Sequence, residues 1–361
     1  MIKLKRRKSR IVKIGRLSIG GNNPVAIQSM TKTRTADIEK TLAQIQQLTL
    51  AGCEIIRVAV KDEADARAIK RLKGKIKIPL VADIHFNWRL AMLAMENGAD
   101  KIRLNPGNIY APDNIREVAR AARMHGIPIR VGLNSGSLRP LKNVSLRRRY
   151  AQEGAAAIMV KEALNYLKIL EQAKFYNIVI SLKGSGILDT IEAYRRISKR
   201  CDYPLHLGVT AAGLPREGAI KSAIAIGALL LEGIGDTIRV SLTDRPQEEI
   251  QAARSILQAL GLRNFGYEIV SCPTCGRCEV DLISQVRKLE EKLSGLSLGL
   301  AKRPLKIAMM GCVVNGPGEA READIGVAFG SRGGLLFKKG RAVRKVSVTN
   351  CLEVLLREAR K

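Results

Sequence analysis

From its N-terminus to about residue 245 the chain alternates short β-branched runs with amphipathic helical stretches, and that alternation narrows the fold more than any other feature. Eight runs read as strands: "PVAIQSM", "EIIRVAV", "PLVADIHF", "KIRLN", "PIRVGLN", "NIVISLKG", "PLHLGVT" and "DTIRVSL". Each is followed by helix-like sequence. Eight strand–helix units are the count of a (β/α)8 TIM barrel, with a doubly wound open sheet as the alternative. The 361 residues exceed the roughly 250 that such a barrel occupies. A barrel over 1–263 and a smaller α+β domain over 264–361 account for the length.

Polar residues inside the apolar runs favour the barrel. Side chains an even number apart share a strand face. Asp83 and His85, Arg103 and Asn105, Arg130 and Asn134, Ser181 and Lys183, His206 and Thr210, and Arg239 and Ser241 keep such spacing toward strand C-termini. In a barrel these ends form the active-site mouth. Arg57, Arg103, Arg130, Lys183 and Arg239 outnumber the nearby carboxylates, which points to a bound polyanion. The competing reading is a set of internal ion pairs among Asp83, Arg103 and Arg239. His85 and His206 read as packing residues. The turns "NPGN" (105–108) and "LNSGSL" (133–138) can offer backbone N–H groups to phosphate.

Composition bounds the partners. Hydrophobic residues make up 46% and charged residues 26%, the profile of a soluble globular protein. No apolar run approaches the roughly 20 residues of a membrane span, and "MIKLKRRKSRIVKIGRL" lacks a secretory signal's apolar core. A cytoplasmic protein with no membrane partner is expected. The formal net charge of +29 suits an anionic partner or a generally basic surface. Aromatics at 4%, with no basic stretch interleaved, argue against a stacking platform for nucleic acid.

After about residue 264 come Cys272, Cys275 and Cys278, a charged helix "DLISQVRKLEEKL", a buried strand "KIAMM", Cys312 and a glycine-rich hairpin-like segment. C-x2-C-x2-C with a distant fourth Cys is a metal pattern that leaves zinc and iron–sulfur both open. Spacing alone nominates Cys272, Cys275, Cys278 and Cys312 as a four-thiolate set and leaves Glu319 a turn carboxylate. Cys53, Cys201 and Cys351 read as buried small hydrophobes.

"AIQSMTKTRTADIEKT", "VADIHF", "RLNPGN", "LHLGVT", "EGIGDTIRVSL", "CPTCGR", "GCVVNGPGEA" and "ADIGVA" closely resemble the 4-hydroxy-3-methylbut-2-enyl diphosphate synthase family, in its short bacterial form. These are the iron–sulfur enzymes of the methylerythritol phosphate route to isoprenoids, and the resemblance covers nearly the whole chain. It implies a barrel that binds 2-C-methyl-D-erythritol 2,4-cyclodiphosphate and a C-terminal domain carrying a 4Fe-4S cluster. The implied reaction is two-electron reductive ring opening with loss of water, giving the linear allylic diphosphate.

The resemblance implies Cys272, Cys275, Cys312 and Glu319 as cluster ligands, with Cys278 a bystander. It assigns the diphosphate to Arg57, Arg103, Arg130, Lys183, Arg239 and Ser241, and it places Asp83, Asn134 and Glu232 near the carbon skeleton, Glu232 assisting proton transfer. It further implies flavodoxin or ferredoxin as electron donor and a head-to-tail homodimer in which one chain's cluster domain covers the other's barrel. Two departures stand out: Ala211, where the family has Glu in "TEAG", and Asn87, where it often has Asp. The rival readings are a basic nucleic-acid-binding protein with a structural zinc ribbon and a non-redox barrel enzyme for a phosphorylated substrate.

Overall fold

The computed structural model describes residues 4–138, 154–184, 186–210, 212–294 and 304–360; Ala211 lies outside them. The chain divides into two compact units, Met1–Leu262 and Arg263–Lys361.

The first unit opens with an antiparallel hairpin, β1 (Val12–Ile14) and β2 (Leu17–Ile19). Gly15 turns it with a left-handed φ of +55°, a conformation glycine adopts without the steric penalty of a Cβ. The sequence reading passed over this hairpin as part of a basic N-terminus.

Eight parallel strands follow: β3 (Ala26–Met30), β4 (Ile55–Val60), β5 (Leu80–Ile84), β6 (Lys101–Leu104), β7 (Ile129–Asn134), β8 (Ile178–Lys183), β9 (His206–Leu207) and β10 (Thr237–Ile238). They pair in the order β8-β7-β6-β5-β4-β3-β10-β9. A parallel bridge from Ile180 to Leu205 joins the two ends of that row. The sheet is therefore a barrel and not an open, doubly wound one.

Helices α1 (Ile38–Ala51), α2 (Glu63–Lys73), α3 (Arg89–Glu96), α4 (Pro112–Met124), α5 (Ala155–Gln172), α6 (Ile187–Ser198), α7 (Pro215–Leu231) and α8 (Pro246–Ala259) return the chain. In α1 the Asp37 side chain caps the Lys40 N–H, Gly52 ends the helix in the left-handed region, and Ile38, Leu42, Ile45 and Leu48 form the buried stripe. That is the sequence signature of a helix lying on a sheet. Among the described residues no helix is long and apolar enough to cross a membrane.

Val12, Ile14 and Ile19 of the hairpin pack against Ala26, Ile55, Val81 and Val179, near the N-terminal ends of four barrel strands. Each larger side chain buried there contributes about 2 kcal/mol. The hairpin thus floors the barrel, and the polar residues lie above that floor.

The second unit is a five-stranded sheet, β11 (Tyr267–Ser271), β12 (Leu305–Met310), β13 (Ile325–Gly330), β14 (Gly333–Lys338) and β15 (Arg341–Val346), in sequential order. The first three run parallel and the last two antiparallel, so the glycine-rich segment is a three-strand meander and not one hairpin. Along β12 the faces alternate: Ile307 and Met309 join the core with α9 (Leu282–Ser294) and α11 (Cys351–Ala359). Ala308 and Met310 face α10 (Gly316–Glu322). A Cβ on Gly326 would lie 2.6 Å from the Ala320 carbonyl, so the bare glycine lets α10 rest directly on β13.

Candidate active site and metal centre

Strand alternation points Arg57, Asp83, Lys101, Arg103, Arg130, Ser181, Lys183 and His206 into the barrel, and every one is buried. Asp83 is the hub. Its Oδ1 accepts from Arg103 Nη1 at 3.0 Å, and Oδ2 lies 3.6 Å from both Arg57 Nε and His85 Nε2. Arg103 Nη2 also donates to the Gly132 carbonyl at 2.9 Å. Two glycines make room for the cations. A Cβ on Gly132 would stand 2.8 Å from Arg103 Nε, and one on Gly208 would stand 2.6 Å from Lys183 Nζ.

A second carboxylate enters from a helix. Glu249 of α8 lies 3.7 Å from Arg239 Nη2 and 3.9 Å from Lys32 Nζ, and accepts from the Ser29 hydroxyl and the Leu242 N–H. Of the ion pairs expected among Asp83, Arg103 and Arg239, the one between Asp83 and Arg103 forms; Arg239 pairs with Glu249 instead and Arg57 joins Asp83, and a surplus of positive charge remains. Burial, then Arg239 and Arg103, press Arg57 down to about 9 against the pull of Asp83. Burial and the neighbouring arginines press Lys183 and Arg130 well below their ordinary values. For Asp83 burial works upward, and Arg57 and Arg103 overcome it and hold the carboxylate well below its usual range. Gathering like charges in a dry interior is costly unless an anion joins them. The assembled donors are held in place by the fold, an arrangement able to bind a polyanion.

Around the mouth, Asn105 ties two glycine turns together: its Oδ1 accepts the Gly107 N–H at 3.1 Å and lies 3.2 Å from Ser137 Oγ. The Gly107 N–H is thereby engaged within its own turn instead of open to phosphate. Asn134 ends β7, and Ser241 is half-buried beyond β10. Asn87 Oδ1 accepts the Arg89 N–H at 3.0 Å, a bond that an aspartate would make equally well. His206 is a packing residue, its Nδ1 2.8 Å from Thr237 Oγ1.

Glu232 is a correction. It caps the C-terminal end of α7, the helix that returns the chain to where β10 begins, and forms a forked ion pair with Arg195 on the surface, at distances from 2.5 to 3.1 Å. The next residue's carbonyl accepts from the Arg7 N–H. Glu232 thus lies at the floor end of the barrel, away from the mouth. Sequence reasoning also missed Lys101 and Glu249. Lys101 stands two before Arg103, the same even spacing that revealed the other cations. Glu249 sits on a helix, where strand alternation gives no signal.

In the second unit, Cys272, Cys275, Cys312 and Glu319 line one cavity of about 380 Å3 together with Arg277 and Asn315. Cys272 and Cys275 flank a tight turn in which Thr274 takes a left-handed φ of +58°, a costly conformation for a β-branched residue. Hydrogen bonds from the Arg277 backbone and side chain lower the Cys275 thiol. Backbone N–H groups of Asn315 and Val314 do the same for Cys312, and the Gly311 N–H lies 3.4 Å from Cys272 Sγ. The contacts to Cys275 and Cys312 favour thiolates, the form that binds metal. Cys278 does not line the cavity. Its thiol donates to the Val280 carbonyl at 3.3 Å and packs against the core around Leu282. Among the described residues no three His, Cys, Asp or Glu side chains converge at single-ion spacing.

Residues 9–254 match the GcpE TIM-barrel domain family, and residues 268–361 match the GcpE protein C-terminal domain family. A protein of Caldanaerobacter subterraneus subsp. tengcongensis named 4-hydroxy-3-methylbut-2-en-1-yl diphosphate synthase (flavodoxin) is 54% identical over 361 residues, 100% of this chain and 99% of that protein. A Bacillus subtilis protein of the same name is 50% identical over 354 residues, covering 98% and 91%. Among solved structures, dihydropteroate synthase from Stenotrophomonas maltophilia aligns with a TM-score of 0.51 at 15% identity, covering 70% of this chain and 98% of that one. That likeness is one of fold alone.

Proposed function

The chain belongs to the GcpE family, and from that premise we propose that it converts 2-C-methyl-D-erythritol 2,4-cyclodiphosphate into 4-hydroxy-3-methylbut-2-enyl diphosphate. The reaction consumes two electrons, opens the cyclic diphosphate and releases water. The observation that carries this reading is the surplus of buried cations around Asp83 in the barrel, built for a compact polyanion.

Arg57, Arg103, Arg130, Lys183 and Arg239 hold the diphosphate oxygens, with Ser241 donating from the mouth; guanidinium forks match phosphate geometry. Asp83 fixes Arg57 and Arg103 in place, and Asn134 stands at the end of β7 toward the carbon skeleton. Glu232 takes no part, since its ion pair with Arg195 lies at the far end of the barrel.

The cavity of the second unit fits a 4Fe-4S cluster held by Cys272, Cys275, Cys312 and Glu319. Its donor set, three thiols favoured as thiolates or flanked by N–H groups plus one exposed carboxylate, supports that assignment, and the orientation of Cys278 supports leaving it out. When bound, the cluster supplies electrons and, at the iron held by the harder and more weakly bound oxygen, a Lewis-acid position. Glu319, exposed on α10, would be the one carboxylate of the set and would hold that iron less firmly than a thiolate. The family resemblance supports a homodimer in which one chain's cluster domain serves the other's barrel. The relatives' names support flavodoxin as electron donor, and the +29 charge suits an acidic partner of that kind.

Anaerobic purification of the wild type, Cys278→Ser and Glu319→Ala tests the ligand set by iron and sulfide content, electron paramagnetic resonance and turnover with a chemical reductant. Cys278→Ser is expected to keep cluster and activity, and Glu319→Ala to lose turnover by at least about a hundredfold. The opposite pattern identifies a four-thiolate centre and overturns the assignment.

A further inference from the structure

Inside the barrel lie orphaned polar atoms, and of the residues that carry them only Arg130 has been given a role in the proposed reaction. Lys101 Nζ, Arg130 Nε and Nη1, both amide atoms of Gln28 and His206 Nε2 are buried without a hydrogen-bond partner among the described residues. These four residues come from four strands, β6, β7, β3 and β9, and each is at most 2% exposed. Register keeps Lys101 and Arg130 close in height: Arg103, the next inward residue after Lys101, pairs directly with Arg130. Burial first, and then the positive charges of Arg130 and Arg57, press Lys101 well below its ordinary value. Its backbone stands in register with Val81 of the floor cluster, one inward layer below Arg103, so the amine meets the cations only through the length of its side chain.

An orphaned buried donor costs about 1–3 kcal/mol, and a charged one more. Buried polar groups normally find partners in protein or water, and a gathering of orphans like this one is retained where a ligand satisfies it. Four of the six atoms are obligate donors, so the missing partner is rich in acceptors. We propose that Lys101 is a further substrate-binding residue, reaching the innermost phosphoryl oxygens from below while Gln28 holds the same group from the side. A lysine suits this task because its flexible stem can follow an oxygen that a rigid guanidinium fork cannot reach. The inference rests on the reading of the barrel as a diphosphate site and adds the residue at its base.

The test is calorimetric binding of inorganic pyrophosphate to the anaerobic holoenzyme, with thermal unfolding of the ligand-free protein measured alongside. Lys101→Met is expected to weaken pyrophosphate binding at least about tenfold and to raise KM for the cyclic diphosphate more than it lowers kcat. Its ligand-free Tm is expected to stay level or rise, because an unsatisfied amine has been removed. Lys101→Gln is measured the same way and stands in if the methionine variant does not fold. Unchanged pyrophosphate affinity in either folded variant overturns the proposal, as does a fall in Tm with affinity intact, the mark of a merely structural lysine. A wild type that does not bind pyrophosphate instead overturns the reading of the barrel itself.

Discussion

Lys183 and Lys101 are buried amines pressed well below the ordinary lysine value of 10.5 by burial first and by neighbouring arginines next. The folded chain therefore binds fewer protons than the unfolded chain between the depressed values and 10.5. Stability of the ligand-free protein then rises with pH through that window, since the unfolded state takes up the extra protons. Tm followed by calorimetry from pH 7 to pH 10 is expected to climb, and Lys183→Met to flatten the slope. A slope that the replacement leaves untouched refutes the lysine assignment. Asp83 works at the other end of the scale: its carboxylate is held well below 3.8, so its contribution persists until strongly acid pH.

At the scale of the element, the glycines of the barrel strands act as spacers for charged neighbours. A Cβ on Gly208 would lie 2.5 Å from the Arg239 carbonyl as well as 2.6 Å from Lys183 Nζ, and the carbonyl cannot step aside as a flexible amine can. Gly208→Ala is expected to cost about 1–3 kcal/mol in denaturant unfolding and to weaken substrate binding by displacing Lys183; unaltered stability and KM would count against this packing. The strands themselves were legible because apolar runs of β-branched residues between amphipathic helices have few other uses. The shortness of β9 and β10 was not, since each extends only as far as the pairing Thr237 to His206 and Ile238 to Leu207 allows. The hairpin β1–β2 hid among basic residues although Val12, Ile14, Leu17 and Ile19 alternate. Glu232 was nominated through the resemblance alone, while α7 runs back along the barrel and deposits it at the end opposite the mouth. The thiol spacing named four cysteines; the resemblance singled out Cys278, whose thiol in the fold donates to the Val280 carbonyl.

For the whole molecule, the candidate groups are divided between two compact units, one with the buried cations of the barrel and one with the proposed cluster ligands. If a second copy supplies the missing half, an Arg57→Ala chain and a Glu319→Ala chain, each inactive alone, are expected to recover part of the wild-type turnover when co-expressed, because the mixed dimer retains one intact pairing. Absence of recovery, with mixed dimers verified by mass spectrometry, rules out that arrangement. One feature of the barrel unit shapes traffic as well as stability. With Val12, Ile14 and Ile19 stoppering one end, the barrel is a blind alley, so substrate and product use a single doorway in turn. Product still inside keeps the next substrate out, and the pace of departure at the mouth sets an upper limit on turnover however fast the electrons arrive.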